Sequence, residues 1–172
     1  VRSWKRDPSL SVEETSRQAV GWFGQLLAQT KEEVDDLFSK YRLSEALMLL
    51  YKRFWDDFCS WYLEIIKPTG NEDKKIDAAT YDATLGFFDL LLHLLHPFMP
   101  FITEELWQNL EKRKEGESIM VSPVPATGTF NAAELEDFIR LQELIVTIRG
   151  VRQTKQIPRQ TDLTLYIKGS FP

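Results

Sequence analysis

A long apolar run, Leu90-Leu91-Leu92-His93-Leu94-Leu95-His96, breaks against Pro97 and Pro100 and resumes as Phe101-Ile102-Thr103-Glu104-Glu105-Leu106-Trp107. Proline lacks an N–H and clashes with the preceding helical turn, and Pro100 pushes Met99 out of the α region, so the first helix ends near His96. Thr103 is then placed to cap a new helix, with Glu104 and Glu105 in the first turn, where the helix dipole favours negative charge. The unit is a helix, a rigid corner and a second helix. Taken alone, it is core architecture.

The same periodicity runs through the rest of the chain. Ser11 and Glu14 form a candidate capping box, followed by Val20, Trp22, Phe23, Leu26, Leu27, Val34, Leu37 and Phe38 at mostly three- and four-residue spacing. This predicts a first helix ending near Lys40. A second, from about Leu43 to Pro68, carries Leu47, Leu50, Tyr51, Phe54, Trp55, Phe58, Trp61, Tyr62 and Ile65. Helical spacing makes Trp55, Phe58, Trp61 and Trp107 core residues before it makes them platforms for bases. Thr69 to Lys75 is polar and aperiodic, hence an exposed connection. Asp77 caps a third helix that runs to the proline corner, and the helix after Thr103 fades through Glu111 to Lys114.

Ile119-Met120-Val121, followed by Ser122-Pro123-Val124-Pro125, reads as an extended crossing segment. Asn131 with Glu134 resembles a cap on a final helix whose inner stripe is Leu135, Phe138, Leu141, Ile145 and Ile148. Alternation in Thr161-Asp162-Leu163-Thr164-Leu165-Tyr166-Ile167 is a strand signal. The fold class is mainly α: an antiparallel helical bundle with a small, incomplete α/β element at the C-terminus. Residues 1–10 read as a boundary segment, the remnant of a preceding helix. Residues 11–117 read as the bundle, and 118–172 as crossing segment, final helix and terminal strand.

Charge is distributed unevenly. The net value of −5 argues against nucleic acid, but Arg2, Lys5 and Arg6 give +3 before Asp7. From Phe138 onward six cations oppose Glu143 and Asp162 for +4, and the middle supplies −12. An RNA would touch the ends and avoid the middle. The single cysteine, Cys59, has no disulfide partner and fits a reducing compartment. No apolar run reaches the roughly 18 residues of a membrane span, and the expectation is a cytoplasmic monomer. Beginning without Met and stopping just after a strand-like run, the chain reads as a piece of a longer one.

Catalytic patterns are missing. His93 and His96 lack further His or Cys partners for zinc, and their place at a helix end explains them. Glu104-Glu105 and Asp56-Asp57 are sequence neighbours that point in different directions on a helix, so neither pair is a dyad. There is no phosphate-cradling GxxxxGK[ST] loop. No catalytic residue and no metal ligand is assigned.

The proline corner, together with Tyr41-Arg42-Leu43-Ser44-Glu45-Ala46-Leu47 and Phe54-Trp55-Asp56-Asp57-Phe58-Cys59-Ser60-Trp61-Tyr62-Leu63-Glu64-Ile65-Ile66-Lys67-Pro68, closely resembles the anticodon-binding region of bacterial valyl-tRNA synthetases, a family of class I aminoacyl-tRNA synthetases. The resemblance runs from about Trp22 to Lys168. It departs at Pro123-Val124-Pro125, where the family often has Pro-Trp-Pro, and the family's preceding helix, rich in Asn, Trp and Arg, is largely absent. Synthetases for isoleucine and leucine share the bundle, but the wording from Trp61 to Pro68 favours valine.

The resemblance implies a whole enzyme that forms valyl-adenylate from valine and ATP with Mg²⁺, esterifies valine to its tRNA and edits threonine. Threonine is the general illustration of an isostere that a hydrophobic valine pocket cannot strongly reject. The implied partners are the anticodon arm of valine tRNA and the catalytic, editing and C-terminal regions of the same polypeptide, with no membrane. The HIGH-like and KMSKS-like signatures of the nucleotide-binding domain are absent from this stretch, so no cofactor is expected in it.

Unpaired bases are recognised by stacking on aromatic or guanidinium planes and by hydrogen bonds to their edges. Trp4 among Arg2, Lys5 and Arg6 has that chemistry, although a loose boundary segment is an equal reading. The second basic group is Arg149, Arg152, Lys155 and Arg159; a solvated helix end, whose cations favour the C-terminal dipole, explains it equally well. The competing function is a helical protein-interaction module that contacts no RNA.

Overall fold

The computed structural model describes residues 4–68, 74–158, 160–164 and 166. The chain divides into two compact units, Val1–Phe130 and Asn131–Pro172. The division falls after the extended segment that the sequence grouped with the final helix.

In the first unit, α1 spans Glu14–Ser39 and buries Trp22, Phe23, Leu26, Leu27 and Val34 of the expected stripe, with Ala19 and Thr30 beside them, while Val20, Leu37 and Phe38 are half-buried. The expected Ser11–Glu14 capping box does not form. Glu13 occupies the N-cap without a side-chain bond, and the Glu14 carboxylate accepts from Arg17 at 2.7 Å instead. At the other end Tyr41 N–H donates to Phe38 O and Arg42 N–H to Leu37 O, with Tyr41 left-handed at φ 57°. This is a Schellman turn with tyrosine where glycine is usual.

The chain then returns through α2, Leu43–Lys52, which continues without a break into a π-helical stretch, Arg53–Tyr62, and a last α turn, α3, Leu63–Ile65. Sequence predicted one α-helix over this span; the wider winding is a correction. Its i→i+5 repeat is echoed by Ser60, whose hydroxyl donates to Trp55 O at 3.0 Å. Inside it Arg53 is paired with Asp57 at 2.9 Å and donates to the Thr30 hydroxyl of α1, both charged side chains being largely buried.

Helix α4, Ala78–Leu95, completes the core. Phe23 stacks on Tyr62 at 4.9 Å and meets Phe87 edge-on at 5.3 Å; Phe58 stacks on Phe88 at 6.1 Å. Such offset and T-shaped pairs add to the burial of ring area. Gly24 faces α4, where a Cβ would stand 3.4 Å from the Phe87 ring, an ordinary van der Waals contact. The Tyr62 hydroxyl shares a 2.8 Å hydrogen bond with Thr84, and burial pushes the phenol pKa up to about 12. Early α1 thus meets late π-helix, and Tyr62 meets early α4, so successive helices alternate in direction.

The corner follows at His96, as expected, but the next helix starts earlier than the sequence indicated. Helix α5 is Pro100–Leu110, with Met99 at the N-cap and Pro100 at the first helical position, where its fixed φ and missing N–H cost nothing. Thr103 is therefore inside the helix rather than capping it. Its hydroxyl donates back to Met99 O and Pro100 O and shares a 2.7 Å bond with His96 Nδ1. Glu104 accordingly lies beyond the first turn. It accepts from Gln108 Nε2, the Ser118 hydroxyl and Ile119 N–H, and these bonds, Gln108 first, hold its carboxyl below the usual range. This ties down Ile119–Val121, which is a 3₁₀ turn rather than extended chain and packs Ile119 with Leu92 and Trp107.

The small sheet is not at the C-terminus. Strand β1, Lys5–Asp7, pairs in parallel with β2, Lys75–Asp77, in the register Lys5 with Lys75 and Asp7 with Asp77. Lys5–Asp7 of the boundary segment thus form a strand rather than the remnant of a helix, and Lys75 belongs to a strand rather than to a loop; Lys74, just before it, is left-handed at φ 49°, and 69–73 of the expected loop lie outside the described residues. Asp77 then caps α4 as expected, accepting from Thr80 N–H at 2.8 Å.

In the second unit α6 spans Ala132–Thr154, and Asn131 caps it by accepting from Ala133 N–H at 3.1 Å. Thr161–Thr164 and Tyr166 are in no strand, and Leu165 and Ile167 of the expected strand lie outside the described residues. No helix among the described residues is long and apolar enough to cross a membrane.

Candidate nucleic-acid interface

The first basic group sits on β1. Trp4 is half-buried, while Lys5 and Arg6 are exposed. The Arg6 guanidinium donates two parallel hydrogen bonds to Asp82 of α4, at 2.8 and 2.7 Å, which raise its pKa further. Such a fork-on-carboxylate pair matches the charge it presents. Arg2 lies outside the described residues.

The second group occupies the end of α6. Arg149 and Lys155 are exposed at the C-terminal turns, where the helix dipole favours cations. Arg152, between them, is half-buried and donates to two backbone carbonyls, Pro158 O at 2.9 Å and Thr161 O at 2.8 Å. Among the described residues no carboxylate pairs with Lys155. Arg159 lies outside the described residues.

The family whose model matches is the anticodon-binding domain of tRNA ligases, over residues 21–167. The chain belongs to that family.

The matched stretch takes in Arg149, Arg152 and Lys155 and begins after Trp4, Lys5 and Arg6. Among curated relatives, valine–tRNA ligase of Parabacteroides distasonis is 54% identical over 169 residues, 98% of this chain and 19% of that protein. The Porphyromonas gingivalis enzyme is 52% identical over 96% of this chain and 19% of its own length. The Bacillus subtilis enzyme is 40% identical over 87% of this chain and 17% of its own. This anticodon-binding domain thus spans about a fifth of the length of the relatives it matches.

One surface of the domain was not foreseen. Met48, Tyr51 and Trp55 are 67%, 59% and 57% exposed, whereas sequence placed Trp55 in the core. The rest of that reading divides: Phe58 and Trp107 are buried and Trp61 half-buried. Three- and four-residue spacing marks a helical face without saying which way it points, and this helix carries aromatic residues on two faces. Among the described residues no group of three or more His, Cys, Asp or Glu side chains is placed to hold a metal ion. His93 Nδ1 bonds Asp89 O at 2.9 Å, and burial pushes the Cys59 thiol pKa up.

Proposed function

We propose that this chain is the anticodon-binding domain of a valine–tRNA ligase and that the end of α6 engages the anticodon arm of valine tRNA. The observation carrying this reading is the cationic helix end inside the matched stretch, where Lys155 has no carboxylate partner among the described residues of a chain whose net charge is −5. Positive charge left uncancelled on an acidic protein is what phosphate binding requires. The valine assignment is supported by the three relatives named above, which carry that name at 40–54% identity. Trp4 and Lys5 are the second contact in this proposal, with Arg6 positioned by Asp82.

The whole protein would activate valine with ATP and Mg²⁺, transfer it to valine tRNA and clear mischarged threonine, as a cytoplasmic monomer. None of those steps is assigned to a residue of this chain, and no cofactor is assigned to it. The test is a salt titration of the full-length protein with valine tRNA and with an anticodon-altered transcript. Binding should fall steeply with salt, and each lost phosphate contact should flatten the log–log slope by about 0.7–0.9. The variant carrying Arg149→Ala and Lys155→Ala should show both weaker binding and that flattening. A slope unchanged by both substitutions overturns the proposal.

A second reading is favoured by one observation, the exposed Met48, Tyr51 and Trp55, a composition typical of protein-interaction hot spots. A helical interaction module using that face would bind its partner with little salt dependence and would ignore tRNA.

A further inference from the structure

Helix α6 ends in a second Schellman turn. Gln156 N–H donates to Gln153 O at 3.1 Å and Ile157 N–H to Arg152 O at 2.9 Å, with Gln156 left-handed at φ 53°. A second turn follows, closed where Thr161 N–H donates to Pro158 O at 3.1 Å. One guanidinium spans this second turn. Arg152 donates from one terminal nitrogen to the carbonyl of its first residue, Pro158, and from the other to the carbonyl of its last, Thr161. The Arg152 backbone carbonyl meanwhile holds Ile157. A single residue therefore fastens both turns, and its planar fork of donors is directed at main-chain oxygens of its own loop.

We propose that Arg152 is a positioning residue, not a phosphate contact: by holding Ile157, Pro158 and Thr161 it fixes the helix end at which Lys155 meets the RNA backbone. The inference rests on the tRNA-binding reading above and assigns one member of that site a different task. Positive charge on a mobile loop must be ordered at the moment of binding, and ordering it beforehand lowers that cost. Lysine cannot replace arginine in such a buckle, because a compact ammonium on a flexible stem does not bridge two carbonyls in a fixed plane.

The test compares Arg152→Lys, Arg152→Gln and Lys155→Ala in the full-length protein, reading the salt dependence of tRNA binding and hydrogen exchange of the peptide covering 156–161. Arg152→Lys keeps the charge and should nonetheless weaken binding roughly tenfold, with the wild-type salt slope and faster exchange. Arg152→Gln should do the same. Lys155→Ala should flatten the slope and leave exchange unchanged. Restored binding in Arg152→Lys, or a slope in Arg152→Gln flattened by about 0.7–0.9 with wild-type exchange, identifies a direct phosphate contact and overturns the inference. Faster exchange with unchanged binding overturns it equally, since the buckle then has no bearing on RNA. If the wild-type protein shows no salt-sensitive tRNA binding, the functional reading above is what fails, and the exchange rates of Arg152→Lys still decide whether the buckle exists.

Discussion

The ends of α1 and α6 are built on one backbone plan and treat their charges in opposite ways. Each closes with paired Schellman hydrogen bonds around a left-handed residue other than glycine, Tyr41 in one and Gln156 in the other. At the end of α1, Lys40 is paired with Asp36 at 2.7 Å and Arg42 with Glu45, so the cations are cancelled within a turn of their own positions. At the end of α6, Lys155 has no carboxylate partner among the described residues, and the Arg152 guanidinium donates to carbonyls, which bear no net charge. The α1 end is backed by an apolar contact, Phe38 against Phe98 at 5.6 Å, where the other has a polar buckle. Basic residues at a helix end are thus not a nucleic-acid site in themselves; what counts is whether nearby acids neutralise them.

The largest expected effect tests the apolar core on which α1 is held. Phe23 is fully buried among Trp22, Phe58, Tyr62 and Phe87, and Phe23→Ala should destabilise the first unit by about 3–5 kcal/mol in chemical denaturation. It should do so without changing the salt slope of RNA binding by whatever protein remains folded. A loss below about 1 kcal/mol would show that the ring cluster is not what holds α1 in the first unit.

Next comes the pH response of the same core. An acid whose folded pKa is raised loses its proton more readily in the unfolded chain, so it withdraws stability as pH climbs above the unfolded value. Tyr62, raised from 10.0 to about 12, should therefore make stability fall between pH 10 and 12. Tyr62→Phe, although less stable at neutral pH through loss of the Thr84 hydrogen bond, should fall less steeply across that window. Parallel curves for the two proteins would mean that the Tyr62 environment is wet.

How much of this was legible in the sequence depended on how far apart the deciding groups lie. Asp77 and Asn131 were read as caps because a side chain and the N–H it receives sit two or three residues apart. The break at Pro97 was equally local. Thr103 was misread because two rules competed, and Pro100 in the first helical position moved the start upstream of the residue that had the better capping chemistry. The parallel pairing of Lys5–Asp7 with Lys75–Asp77 involves three-residue strands seventy positions apart, too short for any alternation to register. The Arg6–Asp82 fork, 76 residues in span, turned a candidate RNA contact into a structural pair by the same kind of distant encounter. The π winding was invisible because it uses the composition of an α-helix; its outcome, Trp55 outward and Phe58 inward, is decided by packing alone.

A smaller effect bears directly on the charge contrast. Lys155→Ala should flatten the salt slope of tRNA binding by about 0.7–0.9, whereas Lys40→Ala, removing an already cancelled charge, should leave it unaltered. Equal flattening by both would mean that local ion pairing does not decide which helix end binds RNA, and the distinction between the two would collapse.

The smallest effect tests whether the shared backbone plan is real. An L-residue in the left-handed region crowds its Cβ against the following carbonyl, a cost that glycine avoids, though glycine gives part of that gain back through greater freedom in the unfolded chain. Tyr41→Gly and Gln156→Gly should therefore each stabilise the protein slightly, by up to about 1 kcal/mol, visible as a small rise in Tm. The two gains should be similar, because φ is 57° at one position and 53° at the other and both turns carry the same pair of hydrogen bonds. If Gln156→Gly stabilised the protein while Tyr41→Gly destabilised it, the exposed tyrosine ring would have to be making a contribution that outweighs its backbone strain. The α1 end would then owe its shape to that side chain and not to the hydrogen-bond pattern it shares with α6.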